Sequence, residues 1–568
     1  MFYSPSDTMK LKHRKLKAAL WSAAALAGFF QAWANRFYIE PDGLNYLDIS
    51  YAYLHRDWPN AINAYWSPLY SWILAAAIGI TRIPLSLEST LLHAVNIVLY
   101  LFALSCFAFF FDELTKWRAV NSNSQSDATT QSSAWFVWGY ALFAYCELEL
   151  IGVGMDTPDM LVSALFFLAT ALLFRMRHND VGWLLYAAFG VTLALAYLAK
   201  AVMFPIAFVF LFCVSFAGNR GLRRLLRAGF ALVIFLLVSS PWLFFLSNAK
   251  HQFTFGDTGR LNYAYYVNGL AGLPHWHGEI AGAGVPVHPT RRISDFPPVD
   301  EFATPIAGTY PPWYDATYWD EGVRPHFEAR SQLKILLQSA SEYFRLISAQ
   351  RSFVVGFLVL LFFASDRLGF LRNLYALWTL WLPVVATFSL YSLVHVESRF
   401  LGAAVVISWC CIFASMVLPQ SEYSLRVWRA VLLSVALILG VTVFKEAAGD
   451  LVRSSRASNL SWQVATELEK CGLQPGQRVA VLGHSTSSDY WAHLAQVRIV
   501  ADLSEESVPS FWDASDATRA RILESLAHTG ASFVVTRFQP PASQISGWHF
   551  LGATGYYALP LSNGAKSE

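Results

Sequence analysis

Long apolar runs dominate the first 444 residues and constrain the fold more than any other feature. A helix that crosses the hydrocarbon core of a bilayer needs about 20 predominantly apolar residues. Some of the runs are shorter than this and require neighbouring helices or a locally thinner bilayer. The pattern predicts an α-helical polytopic membrane protein with about eleven spans. The runs lie at 16–34, 90–111, 134–151, 160–174, 181–199, 201–217, 228–246, 352–365, 373–393, 400–418 and 427–444.

The composition agrees with a membrane protein and argues against a nucleic-acid partner. Charged residues make up only 14% of the chain and hydrophobic residues 55%, whereas soluble domains carry about 25% charged residues. The formal net charge is +2. A chain with this balance has no general basic field that would attract nucleic acid.

A shorter apolar run, 68–80, decides the topology. If it does not cross the bilayer, the connections that carry most basic residues fall on the same side as the N-terminus. If it crosses, they all move to the other side. Because basic loops prefer the cytoplasm, the first arrangement is favoured. The sequence therefore predicts a cytoplasmic N-terminus, an interfacial helix at 68–80 within a first outer loop (35–89), and an extracytoplasmic C-terminus. The decisive basic residues are Lys116, Arg118, Arg175, Arg177, Arg220, Arg223, Arg224, Arg227, Arg367, Arg372, Arg426 and Arg429.

This topology gathers isolated charges at the boundaries of the spans on one membrane face. Charges beside a bilayer are costly and tend to persist where they bind or activate something. A random scatter would divide them between the two faces, so the clustering predicts an active site at the outer surface. His395 is interpreted as an ordinary interfacial histidine. The clustered charges are Asp42, Asp48, Asp156, Asp159, Lys200, Glu397 and Arg399.

A long outer loop, 247–349, differs in composition from the apolar runs. Its early part is rich in aromatic and hydrogen-bonding groups, and Arg260, Asn262 and Tyr263 are candidates to line an acceptor cleft. The Gly- and Pro-rich stretch 270–312 predicts irregular structure. Residues 328–347 predict an amphipathic helix.

From about residue 445 the chain becomes soluble in character. Segments 478–482 and 531–536 predict strands, 518–528 predicts a helix, and 548–551 with 556–559 predicts a closing hairpin. Residues 445–568 are therefore expected to form a small extracytoplasmic α/β domain.

The ordered motifs of residues 1–444 resemble the GT-C superfamily. These are integral-membrane glycosyltransferases that take sugars from polyprenyl-phosphate carriers, and they include protein O-mannosyltransferases and lipid A aminoarabinose transferases. Many members have two adjacent acids where this chain has Asp42-Gly43, and paired prolines where it has Pro68 alone. A second-loop acid, Asp156 or Asp159, also fits the resemblance. The other motifs are Asp42-Gly43-Leu44-Asn45-Tyr46-Leu47-Asp48, Trp66-Ser67-Pro68-Leu69-Tyr70, Leu198-Ala199-Lys200 and Glu397-Ser398-Arg399-Phe400.

The resemblance implies transfer of a sugar from a polyprenyl-phosphate donor to an acceptor hydroxyl, with inversion, on the extracytoplasmic face of a bacterial inner membrane. Asp42 is the expected general base, and Asp156 and Asp159 complete the expected catalytic acids. Lys200 and Arg399 are the expected phosphate ligands. The acceptor is a lipid, a glycan or a protein; no cofactor is required, although a divalent cation is compatible. The other expected substrate-binding residues are Tyr46, Asp48, Glu397, Arg260, Asn262 and Tyr263.

Each main candidate also has a simpler structural interpretation. Asp42 can cap the helix that follows it, and Asp48 can be a solvated charge on a helix face. Lys200 can snorkel at the interface, and Glu397 with Arg399 can form a surface ion pair of little energetic value. Two other functions stay open: a transporter or flippase of lipid-linked sugars, and a non-catalytic envelope scaffold.

Overall fold

A computed structural model describes residues 5–121, 128–178, 182–216, 221–270, 275–302, 308–309, 316–484 and 489–561. Two compact units share the chain, and each is assembled from three separate segments. Unit 1 comprises Met1–Asn35, His93–Asn248 and Ala329–Arg456; unit 2 comprises Arg36–Leu92, Ala249–Glu328 and Ala457–Glu568.

Most of the described residues are helical. The α-helices in chain order are α1 (Pro5–Ala34), α2 (Pro41–Leu54), α3 (Trp58–Ala61), α4 (Pro68–Thr81), α5 (Glu88–Asn121), α6 (Ala128–Tyr145), α7 (Asp159–His178), α8 (Trp183–Ala199), α9 (Met203–Phe216), α10 (Gly221–Ala249), α11 (Thr258–Asn262), α12 (Ala316–Trp319), α13 (Ala329–Ala349), α14 (Arg351–Phe362), α15 (Arg367–Ala376), α16 (Trp378–Ser392), α17 (Gly402–Ala414), α18 (Glu422–Arg456), α19 (Leu460–Lys470), α20 (Tyr490–Leu494), α21 (Val508–Asp513) and α22 (Asp516–His528).

Several helices have the length and apolar character of membrane spans. Within the described residues five qualify, or seven if each of two bent pairs is one span. The pairs are α13 with α14, bent by 73°, and α15 with α16, bent by 75°. The apolar helices α4, α8, α9 and α17 are shorter. The expected run 16–34 lies in α1, which is not among the five, and each later run overlaps a helix. The mostly helical architecture is confirmed, whereas the count of eleven spans stays a prediction.

Aromatic side chains fill the interior of unit 1. Phe107 stacks on Phe143 with ring centroids 4.8 Å apart, and Trp135 stacks on Phe111 at 4.9 Å. α6 passes so close to Phe111 at Gly139 that a Cβ there would lie 2.2 Å from a ring atom. In a lipid environment such close van der Waals packing is a main source of helix association.

A π-helical turn, Cys146–Ile151, extends α6 up to the loop 152–158 that precedes α7. It ends at Gly152, whose φ of 87° lies in the left-handed region that favours glycine. π-helical turns are rare and occur often at functional sites. This one leads the chain towards Asp159, the first residue of α7.

Unit 2 contains a seven-stranded sheet with strand order β1-β2-β4-β3-β5-β7-β6. β3 runs parallel to β4 and β5, and the remaining neighbours pair antiparallel. The strands are β1 (Arg291–Asp295), β2 (Pro298–Glu301), β3 (Arg478–His484), β4 (Arg498–Ser504), β5 (Ala531–Thr536), β6 (His549–Phe550) and β7 (Tyr557–Pro560).

Alternating residues of β3 build a core on each face of the sheet. Val479 and Val481 belong to a cluster that includes Leu468 of α19. Ala480 and Leu482 belong to a second cluster that includes Leu526 of α22. A central strand covered on both faces is expected to be apolar along its interior, as this one is from Val479 to Leu482.

The tail elements follow the predictions from sequence closely. The strands 478–482 and 531–536, the helix around 518–528 and the hairpin near 548–559 are all confirmed. The amphipathic helix predicted near 328–347 in the long loop is confirmed as well. The expectation of irregular structure in 270–312 is confirmed for the described residues 275–290. It is wrong for β1 and β2, and β2 pairs with β4 of the tail. The sheet thus takes strands from two distant segments. The division into a 1–444 module and a 445–568 domain stays a prediction.

Candidate functional site

Asp42 lies in the first turn of α2. Glu40 occupies the N-cap position, so the alternative interpretation of Asp42 as the helix cap is wrong. The Asn45 side chain donates a hydrogen bond to the carbonyl of Pro41 at 2.8 Å, which fastens this turn. Asp42 is half-buried, whereas the following residues from Gly43 to Ser50 are all buried. The first turn therefore presents a carboxylate at the accessible end of a buried helix.

Tyr46 packs in the interior of unit 2. Its ring meets those of Trp66 and Tyr70 edge to face, with centroids 5.2 and 5.3 Å apart. Its backbone carbonyl accepts a hydrogen bond from the Ser71 hydroxyl at 3.0 Å. These contacts dock α2 on α4, the expected interfacial helix. A substrate contact by Tyr46 stays a prediction.

Asp48 is not a solvated surface charge. It is 8% exposed. It accepts hydrogen bonds from the Thr309 backbone N–H at 2.7 Å and from the Thr309 hydroxyl at 3.1 Å. His493 Nδ1 lies 2.8 Å from the same carboxylate. Asp48 therefore links α2 to the long loop and to the tail within unit 2.

In unit 1, Lys200 and Arg399, which were predicted from separate loops, both approach Asp159. Its carboxylate lies 2.5 Å from Lys200 Nζ and 3.8 Å from Arg399 Nη1. Arg399 Nε in turn donates to Glu397 at 2.6 Å. Asp159 begins α7, Lys200 directly follows α8, and Arg399 lies in a 3-10 turn, Ser398–Phe400, just before α17. The ends of three apolar helices thus place two cations and two carboxylates together. We refer to Asp159, Lys200, Glu397 and Arg399 as the cation cluster.

The surroundings of the cation cluster shift the pKa values of two members. Burial lowers the pKa of Lys200; the Asp159 charge opposes this shift, and the Arg399 charge adds to it. Burial alone raises the pKa of Glu397, but the hydrogen bond from His395 and the Arg399 charge lower it to about 2. Glu397 is therefore ionised at neutral pH, and it offsets the positive charge of Arg399.

An aromatic pair supports the same cations. Lys200 Nζ lies 3.7 Å from the centroid of the Phe400 ring, and Phe400 stacks on Tyr391 at 4.9 Å. A cation over an aromatic face is attracted by the ring quadrupole, more strongly when desolvated. The ring fixes the lysine without adding another negative charge.

A small cavity of about 20 Å³ adjoins the cation cluster. Asp159 and Arg399 line it together with apolar side chains from α7, α9 and α17 such as Phe166, Met203 and Ile206. This lining combines charged groups that can bind an anion with a surface suited to a hydrocarbon chain.

Asp156 has different partners from Asp159. It is fully buried. It accepts a hydrogen bond from Asn96 at 3.0 Å, and His93 Nδ1 lies 3.5 Å from it. Both partners are on α5, so Asp156 joins the loop 152–158 to that helix. Its expected catalytic role stays a prediction.

Reasoning from the sequence did not identify two residues that lie near the cation cluster. His395 was interpreted as an ordinary interfacial residue, but its Nε2 lies 3.0 Å from Glu397. Glu147 is fully buried in the π-helical turn and accepts a hydrogen bond from Ser163 at 2.7 Å. Ser163 lines the cavity, one helical turn after Asp159. A signal for Glu147 was present, because a carboxylate inside an apolar run is rare unless it has a role.

The candidates in the long loop hold loop segments of unit 2 together. Arg260 donates to the carbonyl of Val323 at 2.8 Å and lies 3.2 Å from Asp257. Asn262 accepts a hydrogen bond from the Tyr65 hydroxyl at 2.8 Å. Tyr263 opens a second π-helical turn, Tyr263–Val267. Their expected contact with an acceptor stays a prediction.

Metal binding was left open by the sequence. Across the part of the chain that the structure describes, no group of three or more His, Cys, Asp or Glu residues has the arrangement of a metal site. The expectations about cofactors stay predictions.

Known proteins match this chain in structure. No protein-family model matches it, and no curated protein matches its sequence. The crystal structure of apo ArnT from Cupriavidus metallidurans matches 96% of this chain and 98% of its own, with a TM-score of 0.53 and 11% identity. The same protein bound to undecaprenyl phosphate matches 97% of this chain and 98% of its own, with a TM-score of 0.49 and 12% identity. The apo oligosaccharyltransferase of Archaeoglobus fulgidus matches 92% of this chain and 69% of its own, with a TM-score of 0.49 and 12% identity.

ArnT is an aminoarabinose transferase of the GT-C superfamily. Its likeness extends over nearly the whole of both chains, and at 11% identity it bears on the fold alone. The resemblance found in the sequence and the likeness found in the structure agree: the chain has the fold of ArnT.

Proposed function

We propose that this protein is a membrane glycosyltransferase that moves a sugar from a polyprenyl-phosphate carrier to an acceptor hydroxyl. The observation that carries the proposal is the cation cluster beside an apolar cavity. Lys200 and Arg399 can bind a phosphate, and the apolar lining can hold the hydrocarbon attached to it. An isoprenoid phosphate combines both properties in one molecule.

The two cations have different tasks in this proposal. Arg399 offers a planar fork that matches two phosphate oxygens, whereas Lys200 offers a compact charge. Both now contact Asp159. An incoming phosphate therefore replaces a carboxylate that already holds the cations in place, so the site is preorganised for an anion.

Asp42 is the proposed general base. It takes the proton of the acceptor hydroxyl while the acceptor oxygen attacks the anomeric carbon of the donor sugar. The bond from that carbon to the phosphate oxygen breaks, and the electron pair leaves with the polyprenyl phosphate. Direct displacement inverts the anomeric centre. Asp156, Asp159 and Glu397 orient the reacting groups and the cations.

The proposed orientation follows from the loops. The basic residues on the connections between spans favour a cytoplasmic N-terminus. This leaves the outer loops and the tail outside the cytoplasm, in a bacterial inner membrane, with about eleven spans. The acceptor is a membrane lipid, a glycan or a protein that reaches this face.

The test uses the purified full chain in nanodiscs with a set of labelled polyprenyl-phosphate sugars and an envelope extract as the source of acceptor. We expect release of polyprenyl phosphate and labelling of an acceptor. Asp42→Asn should abolish both while the protein still folds. Asp516→Asn is the matched control, because Asp516 also lies in the first turn of a helix and is 97% exposed. Near-normal turnover by Asp42→Asn would reject the base assignment.

The alternative functions predict other results. A flippase would move labelled donor across the bilayer of a proteoliposome without releasing lipid phosphate. A scaffold would do neither. Analysis of the anomeric configuration of the product by NMR tests inversion separately.

A further inference from the structure

His493 of the tail lies between two carboxylates from the first segment of unit 2. Its Nδ1 is 2.8 Å from Asp48 Oδ1, and its Nε2 is 2.9 Å from Glu88 Oε2. The Asp48 carboxylate only accepts hydrogen bonds, so Nδ1 carries a hydrogen and donates it. Nε2 is within ion-pair distance of Glu88 without hydrogen-bond alignment. A carboxylate on each side of the ring favours the imidazolium, which pairs with Asp48 on α2 and with Glu88 in the first turn of α5.

The imidazolium is shielded from solvent on all sides that the structure describes. Side-chain exposure is 8% for His493, 6% for Asp48 and 1% for Glu88. The rings of Tyr51 and Tyr490 lie 5.3 and 5.9 Å from the imidazole centroid. Burial alone lowers the pKa of His493, but the Glu88 and Asp48 charges raise it to about 10. Since a buried unpaired charge is costly, these groups depend on one another.

A third segment completes the network. Thr309 of the long loop donates its backbone N–H and its hydroxyl to Asp48. Its carbonyl accepts a hydrogen bond from the backbone N–H of Ile499 on β4 at 3.0 Å. α2 is therefore attached both to the sheet and to α20, which carries His493.

We propose that His493 is a positioning residue through which the tail fixes the orientation of α2. Asp48 and Tyr51 are three residues apart and lie on one face of the helix. The Tyr51 hydroxyl donates to Glu88 at 2.5 Å, so the same network holds the helix at two points. The first turn of the same helix carries Asp42. This inference gives the tail a role, and it rests on the proposed function of Asp42 as the base.

The kinetic test compares His493→Ala with His493→Arg. A shift of about 1 Å in a reacting group can cost on the order of 100-fold in rate. We expect His493→Ala to lower kcat by roughly 10- to 100-fold while the KM for the polyprenyl-phosphate donor changes by less than about twofold. His493→Arg keeps a cation that can bridge two carboxylates, and it should restore part of kcat. His528→Ala is the control, since His528 lies in the tail with 77% of its side chain exposed.

Hydrogen exchange gives a second readout that does not depend on activity. Amides of residues 41–54 should exchange faster in His493→Ala than in the parent protein, while amides of α7 and α17 stay unchanged. Unchanged exchange in α2 together with an unchanged kcat would overturn the inference. Loss of protection throughout the protein in both His493 variants would also overturn it, because it would assign His493 to general stability. If the parent protein transfers no sugar, the proposed function fails, but exchange still tests whether His493 holds α2.

Discussion

The carboxylate of Asp159, which lines the cavity, lies 2.5 Å from the ammonium nitrogen of Lys200. Asp159 is the first residue of α7, and Lys200 directly follows the last residue of α8. These two helices are consecutive in the chain. A buried pair of this kind is a weak source of net stability, because desolvation offsets most of the attraction. The pair instead positions the Lys200 ammonium group beside an apolar cavity.

Lys200→Ala should weaken binding of the lipid donor. A charge-assisted hydrogen bond contributes about 1.5–3 kcal/mol, which corresponds to roughly a 10- to 100-fold rise in the KM for the polyprenyl-phosphate sugar. Lys200→Arg keeps the charge and should show a smaller rise. Lys470→Ala is the matched control, because Lys470 is an ion-paired lysine on the surface of the tail. An unchanged donor KM in Lys200→Ala would remove Lys200 from phosphate binding.

Asp159→Asn should have the opposite effect on binding of the product. The amide keeps the shape of the carboxylate but no longer neutralises Lys200 and Arg399. We expect polyprenyl phosphate to bind the variant roughly five- to tenfold more tightly, which corresponds to about 1 kcal/mol. Direct binding to the purified protein measures this without reference to turnover. Weaker binding of the lipid phosphate would show that Asp159 contacts the ligand instead of restraining the cations.

The stability of unit 2 should fall as pH rises into the alkaline range, because His493 loses its charge there. Its pKa is about 10 in the folded protein and 6.5 in its ordinary state. A raised pKa stabilises the fold fully below about pH 6.5; the stabilisation declines above that pH and is lost as pH passes about 10. The slope is at most about 1.4 kcal/mol per pH unit for one proton. The groups that face the imidazolium are Asp48, Glu88, Tyr51 and Tyr490.

Thermal unfolding in detergent, followed by tryptophan fluorescence from pH 6 to 10.5, measures this dependence. The melting temperatures of the parent protein and His493→Gln should converge as pH rises. A gap that stays constant across this range would show that the His493 charge does not contribute.

The sequence predicts the cation cluster well because of where its members stand in the chain. Asp159, Lys200 and Arg399 each lie at the end of an apolar run. Once those runs fold as helices in one unit, the remaining question is which membrane face each helix end lies on. The distribution of basic residues among the connecting loops predicts that face. β5 is predicted as accurately, because its apolar pattern is strong and local.

The sequence does not predict contacts that depend on distant pairing. His493 lies 445 residues from Asp48, and nothing near either residue marks the other. β1 has a polar sequence, Arg-Arg-Ile-Ser-Asp, and becomes a strand only because β2 pairs with β4. Tertiary context determines such edge strands more than intrinsic preference does.

The approach of α6 to α5 at Gly139 gives a prediction about stability in unit 1. A Cβ at this position would lie 2.2–2.7 Å from three atoms of the Phe111 ring, which is itself fully buried. Gly139→Ala should therefore force the ring or the helix to move, at a cost of about 1–3 kcal/mol. Gly440→Ala on α18 is the matched control, because a Cβ there meets no atom within 4 Å. Alanine favours helix over glycine by about 1 kcal/mol, so the control should melt at the same or a slightly higher temperature. Equal melting temperatures for Gly139→Ala and the parent protein would contradict the close packing of α5 and α6.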